Sequence, residues 1–111
     1  MGRFLVTMDC PSMTMDDLQK GEALWNEALS DYTDLKWLRE YDNLSKGHVV
    51  SIFEAPSADR IRQFFDHFGR KIEESGLFPE MSESDYTLDI LPIEVEYEGG
   101  KITYQTELAE V

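Results

Sequence analysis

One cysteine, Cys10, stands in the whole chain. An intramolecular disulfide is therefore excluded, and so are the zinc patterns built on paired thiolates. Positive charge is also scarce: Lys and Arg number 10 against 23 Asp and Glu, a formal net charge of −13. A surface of that sign repels nucleic-acid phosphates and anionic lipid, which argues against nucleic-acid and peripheral-membrane roles. The shortage deepens along the chain, since from Glu73 onward 11 acids face a single base, Lys101. Read plainly this is a solvated, repulsive surface; adaptation to a salty cytoplasm and attraction of a cation are the alternatives. No apolar run approaches the roughly 18 residues that span a bilayer. Met1-Gly2-Arg3 leads directly into a strand pattern rather than a signal peptide, and Val6 stands where a myristoylation site needs Ser or Thr. A cytoplasmic protein is the expectation. Glycine-rich phosphate loops, a Rossmann fingerprint and a local Ser-His-Asp signature are all missing, as are repeats and low-complexity tracts.

What is present is enough for one hydrophobic core. Apolar residues make up 41% of 111 residues, which suits a single domain and not two. Phe4, Val6 and Met8 alternate with Leu5, Thr7 and Asp9 ahead of Pro11, predicting a first strand over Arg3 to Asp9. Thr14, three residues before Asp17, reads as a helix cap with its capping-box partner. The helix that follows places Leu18, Gly21, Trp25, Ala28, Leu29 and Tyr32 on one face. Alternation from Leu35 to Tyr41 predicts a second strand, Asp42 to Gly47 a turn, and His48 to Glu54 a third strand whose consecutive apolar residues imply cover on both faces. Ser57 is the expected cap of a second helix with a stripe of Ile61, Phe64, Phe65, Phe68 and Ile72, and Gly76 its left-handed stop. Tyr86 to Leu91 reads as a fourth strand. Beyond Pro92, Gly99-Gly100 is a two-residue hairpin turn inside an additional hairpin, Ile93 to Gln105.

The order β-α-β-β-α-β is the split βαβ pattern of the α+β, ferredoxin-like class: an antiparallel sheet with both helices on one face. The expected organisation is a single domain over residues 1–111, with a core over 3–91 and an extra C-terminal hairpin over 93–105. The first and third strands offer apolar side chains on both faces, so a second copy is expected to cover the open one, giving a homodimer. The hairpin is expected at a sheet edge or as an arm over the partner.

Three stretches carry a resemblance. Phe4-Leu5-Val6, Trp37-Leu38-Arg39-Glu40-Tyr41 and Phe53-Glu54-Ala55-Pro56-Ser57-Ala58-Asp59 resemble a family of small bacterial ferredoxin-like proteins of unassigned role, some of them nickel-binding. That resemblance implies the dimeric α/β-barrel arrangement. Met8, Asp9 and Cys10 stand where those nickel-binding relatives carry N-terminal histidines. Met8-Asp9, Glu40-Tyr41, Ser51-Ile52-Phe53 and Leu77-Phe78-Pro79-Glu80-Met81 are similar to muconolactone isomerases, which move a proton within an unsaturated lactone without a cofactor. This second resemblance implies Asp9 or Glu40 as general base, with Arg39 holding a substrate carboxylate.

From the residues themselves, Trp37, Arg39 and Tyr41 share one face of a regular strand and would line a pocket for a planar, carboxylate-bearing ligand, with Phe53 of the third strand beside them. The structural alternative is that Arg39 lies over an aromatic ring or pairs with a neighbouring acid. Asp9 and Glu40 become useful bases only where burial raises their pKa, and alternation separates Glu40 from Trp37 and Tyr41. His48 and His67 are the candidate metal ligands, neither in a paired motif. Cys10, beside Asp9, reads as a structural cysteine rather than a nucleophile. The leading expectation is a binding protein for a small organic ligand, with no cofactor. An isomerase, a metal-binding protein and a protein-interaction module are the alternatives.

Overall fold

The computed structural model describes residues 1–10, 13–78 and 87–106. Among these residues, six strands and two helices follow in the order β1 (Gly2–Asp9), α1 (Met15–Ser30), β2 (Lys36–Asn43), β3 (His48–Ala55), α2 (Ala58–Ser75), β4 (Thr87–Pro92), β5 (Val95–Glu98) and β6 (Lys101–Gln105). The first four strands form one antiparallel sheet in the order β2-β3-β1-β4, consistent with a ferredoxin-like α+β fold. No helix among the described residues is long and apolar enough to cross a membrane. Pro11, Pro79, Glu80, Met81 and Tyr86, to which the sequence reading gave roles, lie outside the described residues.

Local chemistry sets the helix ends where the sequence predicts them. Thr14 Oγ1 accepts from the Asp17 backbone N–H at 3.1 Å, while the Asp17 carboxylate accepts from the Thr14 N–H at 2.9 Å. Ser57 Oγ accepts from the Arg60 N–H at 3.2 Å, and Gly76 ends α2 in the left-handed region at φ 67°. Both helices lie on one face of the sheet. Val6, Phe53 and Ile90 from the strands meet Ala28 of α1 and Ile61 and Phe64 of α2 in a core that excludes solvent almost completely. On β3 the buried positions are Val49, Ser51, Phe53 and Ala55, and Val50, Ile52 and Glu54 between them are half-buried on the other face.

The second strand departs from simple alternation. Trp37 pairs with Phe53, but the next residue of β3, Ile52, pairs with Arg39 rather than with Leu38. Leu38 is thus an extra residue, a β-bulge, and it reverses the facing of everything after it. Trp37, Glu40 and Asp42 point to the helices, opposite Phe53, Ser51 and Val49; Arg39 and Tyr41 point away, opposite Ile52 and Val50. The expected shared face of Trp37, Arg39 and Tyr41 is therefore corrected: the bulge splits it.

The hairpin of β5 and β6 turns at Gly99 and Gly100, both at positive φ (59° and 79°), as a two-residue turn with strand-matching twist requires. It is tied to its own chain at the open face of the sheet. Arg3 donates from Nε to Glu54 at 3.3 Å and from Nη1 to Glu96 at 3.0 Å, its guanidinium lies 5.0 Å from the Tyr104 ring centre, and its backbone N–H donates to the Tyr104 hydroxyl at 3.1 Å. Arg39 Nη2 donates to Glu98 at 3.2 Å. Two arginines thus clasp two glutamates spaced two residues apart on β5.

Candidate functional site

A cavity of about 290 Å³ opens between the helices and one end of the sheet. Its walls follow from the elements just described. The inward face of α1 supplies Leu18 and Trp25, α2 supplies Phe65 and Phe68, and the ends of β1 and β3 supply Met8 and Val49. Trp25 and Trp37 meet edge to face with ring centres 5.4 Å apart, and Trp25 makes a second perpendicular contact with Phe68 at 4.9 Å. Thioethers of Met8, Met13 and Met15 and the thiol of Cys10 complete a soft, adaptable lining. The indole Nε1–H of Trp25 is shut off from solvent and has no hydrogen-bond partner among the described residues. An orphaned donor of that kind costs about 1–3 kcal/mol.

The polar part of the wall comes from α1, through Asp17, Gln19 and Glu22, and from β2. Glu40 and Asp42 project to the cavity from alternate positions of the same face. Glu40 accepts a hydrogen bond from Ser51 Oγ at 3.0 Å, and Ser51 is the one buried polar residue in the described core. Burial, followed by the Asp42 carboxylate, pushes the Glu40 carboxyl up to about 7, against the opposing pull of the Ser51 hydroxyl. The Cys10 thiol is driven in the same direction, up to about 11, by burial and then by Asp9, Asp42 and Glu40. It is a thiol at neutral pH, in keeping with the structural role read from its acidic neighbour. The wall can therefore give or take a proton near neutrality, or hold a positive group; it has no activated sulfur nucleophile.

No family model matches the chain. No curated protein matches it either. Among solved structures it is similar to one described as the crystal structure analysis of SCO4226 from Streptomyces coelicolor A3(2), at 15% identity and a TM-score of 0.48, over 60% of this chain and 83% of that one. The site is accordingly read from its own chemistry.

The residues singled out by sequence do not gather in one place. Trp37 and Glu40 line the cavity. Arg39 and Tyr41 are exposed on the opposite face of the sheet, where Arg39 Nη1 donates to the Tyr41 hydroxyl at 3.4 Å and the guanidinium pairs with Glu98. Arg39 as the anchor of a carboxylate in this cavity is thereby corrected, because the bulge turns it away and a glutamate already occupies it. Phe53 is wholly buried in the core, edge to face with Trp25 at 6.1 Å, and lies beneath the site rather than in it. Asp9 is on the open face, bonded to His48 Nδ1 and accepting from Thr87 Oγ1 at 3.4 Å. His67 stands in the helix layer, where its Nε2 meets Asp31 at 2.9 Å beside Lys71. The two histidines are on opposite sides of the sheet, each held by its own aspartate. Among the described residues no group of three or more His, Cys, Asp or Glu gathers as a metal site.

Sequence reasoning passed over Trp25, Asp42, Ser51 and the three methionines. Two of these carried a signal. Ser51 is a lone hydroxyl among apolar inward positions of β3, which needs a buried partner. Asp42 lies two residues from Glu40, the spacing that places two acids side by side on a strand.

Proposed function

We propose that this chain binds a small, largely apolar molecule in the cavity between its helices and its sheet. The observation that carries this reading is a 290 Å³ space walled by two tryptophans, three methionines and phenylalanines, with a few acidic groups brought to it by α1 and β2. Ligand sites are commonly built in this way, from apolar walls with a few convergent polar groups.

Gly21 offers a direct test. It lies on the cavity wall of α1, and a Cβ there would meet only Phe78 Cζ, at 3.7 Å. Gly21→Leu therefore projects a side chain into the space without disturbing the helix. In a small-molecule screen read by thermal shift, ligands that raise the parent's unfolding midpoint are expected to have no effect on the variant. Ligands that stabilise both proteins equally would place binding elsewhere, and a screen without hits would count against a ligand site.

A second reading is favoured by one specific observation. A carboxyl held near 7 beside a hydroxyl is suited to proton transfer at neutral pH, so a cofactor-free isomerisation in this cavity would use Glu40 as base with Asp42 tuning it. Asp9, on the other face, would have no part in it. The homodimer remains a proposal supported by the half-buried Leu5, Val50 and Ile52 and the exposed Leu91 on the open face. Sedimentation at micromolar concentration is expected to give twice the 12.9 kDa of one chain; a monomer would sink that proposal.

A further inference from the structure

The charged residues of the cavity wall are all of one sign. Asp17 and Glu22 reach it from α1 and Glu40 and Asp42 from β2, and among the described residues no Lys, Arg or His lines it. The bases nearby in sequence are used elsewhere: Lys20 pairs with Asp16 at 2.9 Å on the exposed side of α1, and Arg39 pairs with Glu98 on the far face of the sheet. Asp17 is committed to the helix cap through the Thr14 N–H. That leaves Glu22, exposed on α1, and the adjacent pair Glu40 and Asp42 on β2, which forms the polar head of the site. They crowd one another, and among the described residues only the Ser51 hydroxyl bonds to Glu40. An anionic ligand would add a third negative charge to this pair. A cation would relieve their repulsion, most of all at the half-buried Glu40, where water screens the charge least.

The rest of the wall selects among cations. Two tryptophans whose rings meet at 70° offer both a face and an edge, and a ring face attracts an ammonium or its methylated form. The methionine thioethers are polarisable but uncharged. A hard divalent metal would want several oxygens and retained water, which this apolar enclosure does not provide. At 290 Å³ the space is at the small end for organic ligand sites, room for one ring and a short chain.

Resting on the reading of this cavity as a ligand site, we propose that its ligand is a small organic cation: a protonated or quaternary amine on a ring or short apolar chain, the nitrogen beside Glu40 and Asp42 and the apolar body against Trp25 and Trp37.

Three probes of one size and three charges test this on the intact chain: 2-phenylethylammonium, 2-phenylethanol and phenylacetate. Binding is read by tryptophan fluorescence and calorimetry at about 150 mM salt and again at several-fold higher salt, where the long-range field of an acidic protein is screened. The ammonium is expected to bind about tenfold or more tighter than the alcohol, and phenylacetate weakest of the three. In Glu40→Gln/Asp42→Asn the ammonium should fall to the level of the alcohol while the alcohol is unchanged. Glu74→Gln, an exposed acid on α2 away from the cavity, should leave the preference intact. Alcohol and ammonium binding the parent equally would leave a ligand site but overturn its cationic selectivity. A preference that survives the double variant would assign it to the overall charge and overturn the proposal as well. No binding of any probe would remove the ligand site itself. The parent's ranking of the three probes decides the question even if the double variant does not fold.

Discussion

The two faces of the four-stranded sheet are made from interleaved residues of the same strands and are stabilised in different ways. The helix face is covered by its own chain: Phe53 and Val6 on the strands are closed over by Ile61, Phe64 and Ala28, leaving a space at the end where β2 turns acidic. The open face keeps Leu5, Val50 and Ile52 half-exposed, and a hairpin is held on it by ion pairs through Arg3 and Arg39. One face thus rests on burial, which is strong and non-directional, and the other on charged clasps, which are weak where water reaches them. The cavity belongs to the strong face, so a ligand site there has a rigid frame on three sides.

The contrast can be tested most severely at neighbouring residues of β3. Phe53→Ala, in the core, should cost about 3–5 kcal/mol in urea unfolding, whereas Ile52→Ala on the open face should cost clearly less. Equal losses would mean that the open face is as well covered as the helix face, as it would be inside a tight dimer.

Next in size is the pH dependence of Glu40. Its folded-state pKa is raised from 4.5 to about 7, so between those values the folded state holds the proton more tightly than the unfolded state. Stability from this group is therefore present below about 4.5 and is lost as pH rises through about 7. Glu40→Gln should melt above the parent at pH 8, by about 1–2 kcal/mol after allowance for its remaining solvent contact, and the gap should close towards pH 5. A gap that widens on acidification would contradict the buried, acid-crowded site.

The smallest effects belong to the clasp. Arg3→Met should cost about 1 kcal/mol and speed amide exchange in β5 and β6 while leaving β1 and β3 protected. Arg39→Met, at a fully exposed pair, should leave the unfolding midpoint unchanged and leave any cavity ligand bound. Loss of ligand in Arg39→Met would restore the anion-anchoring role that the geometry denies it.

What the sequence made legible was local. Thr14 with Asp17, Ser57 and Gly76 mark helix ends through bonds to residues three or fewer positions away, and the stripe of α2 repeats with the helix itself. The alternation of β3 was readable for the same reason. The facing of Arg39 was not, because a bulge exists only in relation to the partner strand, and nothing in Trp37-Leu38-Arg39 marks Leu38 as extra. The destination of the hairpin was hidden as well: its turn is written in Gly99-Gly100, but its docking depends on Arg3, more than 90 residues away. Phe53 was placed in the right layer and assigned the wrong task, since an aromatic pointing inward from a strand looks the same whether a ligand or a phenylalanine lies above it.

The irregularity at Leu38 reaches beyond this one chain. Paired regularly from Trp37 onward, the same eight residues of β2 would turn Arg39 and Tyr41 towards the helices and Glu40 and Asp42 outward, so the wall contributed by this strand would carry the opposite charge with no change of sequence. The ligand preference of such a site is thus encoded in strand parity as much as in side-chain identity. For proteins sharing this strand, position-by-position transfer of binding roles holds only when the bulge is shared too, and two aligned sequences with every β2 residue in common could still favour ligands of opposite sign.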